Sequence, residues 1–171
     1  LSRKVFTWSG SIAVKTFRLR VRTAWDTWDL FAVFNFGPEP LRQVLPGTGA
    51  VWDFWDERYT GVVAGALDVV VPPRSVKLLR VSAARPHPWV LSTDIHIRQG
   101  QAELDGVGWD EEKLELRFTT QRAGNVYLRV PKEFRLADPA GLWIAKDGND
   151  SSLVVRVSAQ KDERRITFAR M

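Results

Sequence analysis

The chain has 171 residues, with 25 Lys and Arg against 20 Asp and Glu, two His and no Cys. That length suits one or two small domains with real cores and falls short of a (β/α)₈ barrel, which takes at least roughly 200 residues. A hydrophobic fraction of 44% with 26% charged residues excludes a disordered chain, and the lack of Cys excludes disulfide frameworks, thiolate zinc sites and cysteine nucleophiles. The net charge of +5 is uneven: residues 1–81 carry 11 basic and 7 acidic groups, residues 82–171 carry 14 and 13. So small a surplus admits an anionic partner without requiring one. The longest apolar stretch, Gly61 to Pro73, is broken by Asp68 and is shorter than the ~20 residues of a membrane helix, so no membrane partner is expected. The opening residues do not read as a secretion signal, and Leu1 in place of Met suggests a fragment or a processed chain.

Val, Phe, Trp and Thr are abundant, and Gly and Pro recur at short intervals, a composition that favours strands and turns over helices. In chain order, Phe17, Leu19 and Val21 alternate with Arg18, Arg20 and Arg22, which predicts a strand with one apolar and one basic face. Strands follow at Trp28 to Phe36, ending at the Gly37-Pro38 turn, at Val51 to Tyr59, at Ala66 to Val71 and at Ser75 to Ser82. The second half predicts strands at Trp89 to Ile97, Gln101 to Trp109, Lys113 to Thr120, Asn125 to Val130, Leu153 to Ser158 and Arg165 to Phe168. The expected fold is all-β, an antiparallel β-sandwich architecture. Pro86 and Pro88 stiffen Ala83 to Pro88 into a linker, which divides the chain into a module at 1–83 and a second at 84–171; one larger sandwich is the alternative.

Signatures of catalysis are sparse. There is no dinucleotide or P-loop glycine pattern, no HExxH and no GxSxG. Asp53, Asp56 and Glu57 cluster beside aromatics, but nothing in the pattern organises an acid and a nucleophile. Asp94 and His96 share a strand face at hydrogen-bonding spacing and read as a structural polar pair. No set of ligands suggests a metal, and no cofactor is expected. Asn149-Asp150-Ser151 matches the glycosylation sequon.

The informative feature is a strand apolar on both faces. Val51 to Tyr59 puts Trp55 and Tyr59 on one side and Trp52 and Phe54 on the other, and Trp28 to Phe36 is similarly two-sided. A two-layer sandwich buries only one face of each sheet. The second module or a part of a parent protein must therefore cover the other face, and either Trp52 or Trp55 should be exposed in this chain alone.

Phe34-Asn35-Phe36, Val51-Trp52-Asp53-Phe54-Trp55, Gly61 and Pro72-Pro73-Arg74-Ser75-Val76-Lys77-Leu78-Leu79 together resemble, in order and spacing, the C-terminal β domain of α-galactosidase-like glycoside hydrolases, the melibiase and raffinose-synthase-like group. Arg85 to Gly100 is similar to a segment that follows in some bacterial members. The resemblance spans roughly residues 28–110 and leaves 111–171 unmatched. Arg74 stands where the family pattern has His, and Ile95 where it has Arg. The resemblance implies retaining glycosidases whose two catalytic aspartates sit on an upstream barrel, one of them in a Lys-x-Asp motif. No Lys in this chain is followed two residues later by Asp. The implied role is a non-catalytic accessory region, not itself an enzyme, with the catalytic (β/α)₈ barrel of the parent chain as its partner. The alternative is an autonomous carbohydrate-binding module, with carbohydrate as partner. Trp52, Trp55 and Tyr59 are the interface or sugar-stacking candidates. Nucleic-acid binding through Arg18, Arg20 and Arg22 is not expected, because the flanking aromatics lie on the opposite face.

Overall fold

The computed structural model describes residues 15–146 and 148–171, which form fifteen strands and no helix. The fold is all-β with antiparallel ladders throughout, in agreement with the reading of the sequence. In the first half, β1 (Thr16–Arg22), β2 (Thr27–Asn35), β7 (Ser75–Ser82), β4 (Gly49–Asp53) and β5 (Arg58–Val63) form a five-stranded sheet in that order. A ribbon of β3 (Leu41–Pro46) and β6 (Ala66–Val71) covers its inner face. Phe31, Val33, Val51, Leu79 and Val81 from the sheet meet Leu45, Leu67, Val69 and Val71 from the ribbon in a closed core. The ribbon strand β3 has no counterpart in the sequence reading, because Leu41 to Pro46 alternates only weakly and ends in Pro.

The second half supplies β8 (Trp89–Thr93), β9 (Leu104–Asp110), β10 (Glu115–Thr120), β11 (Gly124–Val130), β12 (Phe134–Leu136), β13 (Trp143–Lys146), β14 (Leu153–Ala159) and β15 (Glu163–Arg170). They pair as two four-stranded sheets, β12-β15-β10-β9 and β13-β14-β11-β8, around a core that includes Leu116, Phe118, Leu128, Val130, Val155 and Phe168. Every strand ladder stays on one side of Ala83 to Pro88. That connector is extended but held: the Arg85 carbonyl accepts from Arg129 Nη1 at 2.9 Å, Arg85 Nη2 donates to Asp26 at 3.1 Å, and the His87 ring stacks on Trp109 at 5.1 Å.

Two expected strands are shorter than their composition suggests. Val51 to Tyr59 is not one strand but the hairpin of β4 and β5, because the chain turns at Phe54 to Glu57. Asp53 Oδ1 accepts from the Asp56 N–H and Glu57 takes a left-handed φ of 47°, so the local hydrogen bonding of the Asp competes with strand continuation. The alternation of faces drawn along this segment is thereby corrected: Trp52 and Tyr59 are cross-strand neighbours on one face, and Trp55 sits at the turn. Likewise β8 stops at Thr93, since the chain bends through Gln99 and Gly100 at φ of 54° and 117°.

On β1, the basic face is partly neutralised. Arg18 and Arg20 both donate to Asp29, at 2.7 and 2.9 Å, and they hold its carboxyl well below the usual range, at about 2. A depressed carboxyl pKa stabilises the fold above the unfolded-state value near 4 and loses that contribution as pH falls toward 2. We expect urea denaturation to show Asp29→Asn weaker than wild type by about 1–2 kcal/mol at pH 7, with the difference vanishing near pH 2. Equal stability of the two at pH 7 would refute this.

Candidate functional site

The register of the five-stranded sheet stacks its outer-face side chains into rows. Val21, Trp28, Ser82 and Ala50 form the first row, and Leu19, Leu30, Arg80, Trp52 and Tyr59 the second. Phe17, Ala32 and Leu78 form the third, extended by Phe54, whose N–H donates to the Leu78 carbonyl at 2.9 Å. Phe34 and Val76 form the fourth.

The second half of the chain covers Ala50, Trp52 and Tyr59, and Trp25 with Trp89 covers Trp28, while Leu19 at the β1 end of the second row is 50% exposed. Trp52 packs with Leu91, Tyr127 and Val154, its ring 4.5 Å from that of Tyr127. Trp25 fills the next position, between Trp28 at 5.3 Å and Trp89 at 6.4 Å. Beneath these rings lies Arg80, wholly buried, with its guanidinium 4.0 Å over the Trp28 ring and Nη1 donating to the Gln99 carbonyl at 2.6 Å. Burial pushes this guanidinium down to about 10, against the upward pull of the Asp26 and Glu103 carboxylates. Asp26 accepts from Trp89 Nε1 at 2.8 Å and lies 3.9 Å from Arg80 Nη2; Glu103 accepts from the N–H groups of Gly100 and Ala102 at 2.7 and 3.1 Å and from the Thr93 hydroxyl.

At the β5 edge the contact is polar. Tyr59 Oη donates to Asp150 at 3.0 Å and accepts from Arg129 Nε at 3.0 Å, and Tyr127 Oη donates to Glu57 at 2.6 Å. Burial raises both tyrosines, so they remain protonated donors. Asn149 pairs with the main chain of Val62, accepting from its N–H at 2.8 Å and donating to its carbonyl at 3.0 Å. A Cβ at Gly61, where φ is 117°, would lie 2.1 Å from Asn149 Oδ1, so glycine is what admits this loop. The sequon asparagine, although exposed, is thus engaged in the contact between halves.

Beyond the second row the cover ends. Phe17 and Phe36 are exposed, Ala32, Phe34, Phe54, Val76 and Leu78 are half-buried, and Trp55 is 55% exposed. The rings touch one another: Phe17 meets Phe34 at 5.9 Å, Phe34 stacks on Phe36 at 5.8 Å, and Phe54 meets Trp55 edge-on at 4.9 Å. A contiguous aromatic patch of this kind on water marks an interaction site. Its members come from four separated segments, Phe17 on β1, Ala32 to Phe36, Phe54 to Trp55 and Val76 to Leu78.

Of the three aromatic candidates, Trp52 and Tyr59 are buried at 1% exposure each and face the second half, while Trp55 alone presents its ring to solvent. Asp94 and His96 do not pair: Asp94 accepts from the main-chain and side-chain nitrogens of Asn125 at 2.7 and 2.6 Å, and His96 Nδ1 accepts from the Arg98 N–H at 3.1 Å. The reason is that both residues lie beyond the end of β8, where strand alternation no longer applies. Asp53 and Asp56 are both bound by Lys77, and Glu57 by Tyr127. Among the described residues no three His, Asp or Glu side chains gather as a metal site. Sequence reasoning missed Arg80, Asp26 and Glu103. The available signal was an arginine inside the apolar run Leu78 to Val81, in a segment predicted to be a strand. Compared with protein-family models and with curated proteins, the sequence matches none.

Proposed function

We propose that this chain is a non-catalytic accessory β region of an α-galactosidase-like glycoside hydrolase, and that the open half of its outer sheet face seats on the catalytic barrel of the parent polypeptide. The carrying observation is the uncovered aromatic patch of Phe17, Phe34, Phe36, Phe54 and Trp55. Segments that resemble the family's C-terminal β domain converge on this patch, although they are far apart in the chain. Burying rings of this size favours association by roughly 25 cal/mol for each Å² removed from water, so a partner that covers the face gains substantially.

The experiment is fluorescence quenching by acrylamide, read at Trp55 against a Trp55→Phe control. Trp55 should be freely quenched in this chain and protected several-fold in a polypeptide that carries the barrel encoded in the upstream reading frame. Equal quenching in both, or an upstream frame without a barrel, would defeat the proposal. Quenching changed by saccharide in the isolated chain would favour the carbohydrate-binding module instead.

A further inference from the structure

We infer that the cleft at the open end of this face is a socket for a carboxylate borne on an apolar side chain of the docked domain, read by Arg74; the inference rests on the docking role proposed above. The cleft, about 350 Å³, lies between the end of β2 and the start of β7 and is lined by Phe34, Asn35, Phe36, Arg74, Ser75 and Val76. Its wall is largely apolar: the Phe34 and Phe36 rings stack nearly parallel, 6° apart in plane, beside Val76. Asn35 is fully engaged within the turn. Its Nδ2 donates to the carbonyls of Glu39, Val71 and Pro72 at 2.7, 3.1 and 2.9 Å, and its Oδ1 accepts from the Gly37 N–H at 3.0 Å.

Arg74 is the one cation on this wall, and it forms no ion pair with any described residue. Glu39, on the adjoining turn that accepts the Arg74 N–H through the Gly37 carbonyl at 3.1 Å, makes no salt bridge with it. Arg74 also holds a left-handed backbone with φ of 49°, where glycine or asparagine would sit without strain. A guanidinium with no ion-pair partner among the described residues, kept in a strained conformation at the mouth of an aromatic cleft, points to recognition rather than to folding. The neighbouring strand end adds a second cation: the Lys15 carbonyl accepts from the Phe34 N–H at 2.7 Å, and Lys15 is exposed. A planar guanidinium pairs with a carboxylate through two parallel hydrogen bonds, and the pair strengthens once a docked surface excludes water.

The occupant is a side chain of the docked domain rather than a free small molecule because the cleft is continuous with the rest of the patch. Phe17 contacts Phe34 at 5.9 Å, and Leu78 and Phe54 extend the surface away from the cleft. A small ligand would fill the cleft and leave that surface in water.

The test is a ¹H–¹⁵N NMR titration of this chain with 4-phenylbutyrate, a mimic of an apolar side chain ending in a carboxylate, and with its neutral amide. The acid should perturb Phe36, Arg74, Ser75 and Val76 amides and bind at least about fivefold more tightly than the amide. Arg74→Gly should erase that preference, leave amide binding unchanged and raise Tm, a combination that loss of folding would not produce. Equal binding of acid and amide would overturn the inference, as would tighter binding of galacturonate, which has the charge without the apolar body. Protection of Trp55 in the barrel-bearing polypeptide is read independently, so the docking role can fail while the carboxylate preference of the cleft stands, and the reverse.

Discussion

Residues 1–83 produced without the second half are expected to lack fixed tertiary structure, whereas residues 84–171 alone should fold. The first fragment keeps the core between the five-stranded sheet and its ribbon, and keeps Trp25 and Arg80 on Trp28, but loses the cover of Trp52 and Tyr59, which are 1% exposed in the whole chain. Those two rings correspond to roughly 350 Å² of newly wetted surface, about 9 kcal/mol at 25 cal/mol/Å² as an upper figure. A domain is stable by only about 5–15 kcal/mol, so the loss is of the same size as the whole stability. The fragment 84–171 keeps its own two-sheet core intact and exposes chiefly Leu91, Tyr127 and Val154. Near-UV circular dichroism and amide dispersion of the two fragments check this asymmetry. A well-dispersed, cooperatively melting 1–83 fragment would contradict it.

Arg80→Ala should destabilise the whole chain by about 3–5 kcal/mol, a Tm loss of roughly 10 °C in a protein of this size. The guanidinium faces both Asp26 and Glu103 in the interior; without it Asp26 keeps its pair with Arg85 at 3.1 Å, while Glu103 is left buried with no ion-pair partner among the described residues. Alanine also opens a cavity against Trp28. Arg80→Met, which fills most of that volume, separates the two costs and should lie between wild type and Arg80→Ala in thermal melts. Wild-type stability of Arg80→Met would mean that the charge contributes nothing and the volume everything.

The all-β class was legible because period-2 alternation runs along single strands, even on β1, where only Val21 of the apolar side is buried. Arg18, Arg20 and Arg22 opposite Phe17, Leu19 and Val21 give β1 outright, and Leu116 and Phe118 give β10. The doubly apolar segments were also legible as sheet needing a second cover. What alternation could not reveal is where a strand stops. Val51 to Tyr59 reads as nine continuous strand residues, yet an Asp side chain bonding two to three residues ahead folds it into a hairpin. That one turn decides which tryptophan is buried. The Asp94 and His96 pairing failed for the same reason, a strand ending at Thr93. The polar contacts of Tyr59, Arg129 and Asp150 depend on residues 70 and 91 positions apart meeting between the two halves of the chain, and no local pattern encodes such a distance.

The division of one sheet face between two neighbours has a consequence for how its residues can change over time. The Ser82 end of β7 and the Ala50 and Trp52 positions of β4 press on side chains encoded in the same reading unit, among them Leu91, Tyr127 and Val154. A smaller ring at residue 52 can therefore be compensated by a larger residue at 127 or 154, and these positions should drift together. Leu78 and Phe54, the next pair along the same two strands, have no such counterpart among the described residues. Their freedom to vary is set by whatever surface rests on them, so substitutions there should not track positions 91, 127 and 154, while those one row away do.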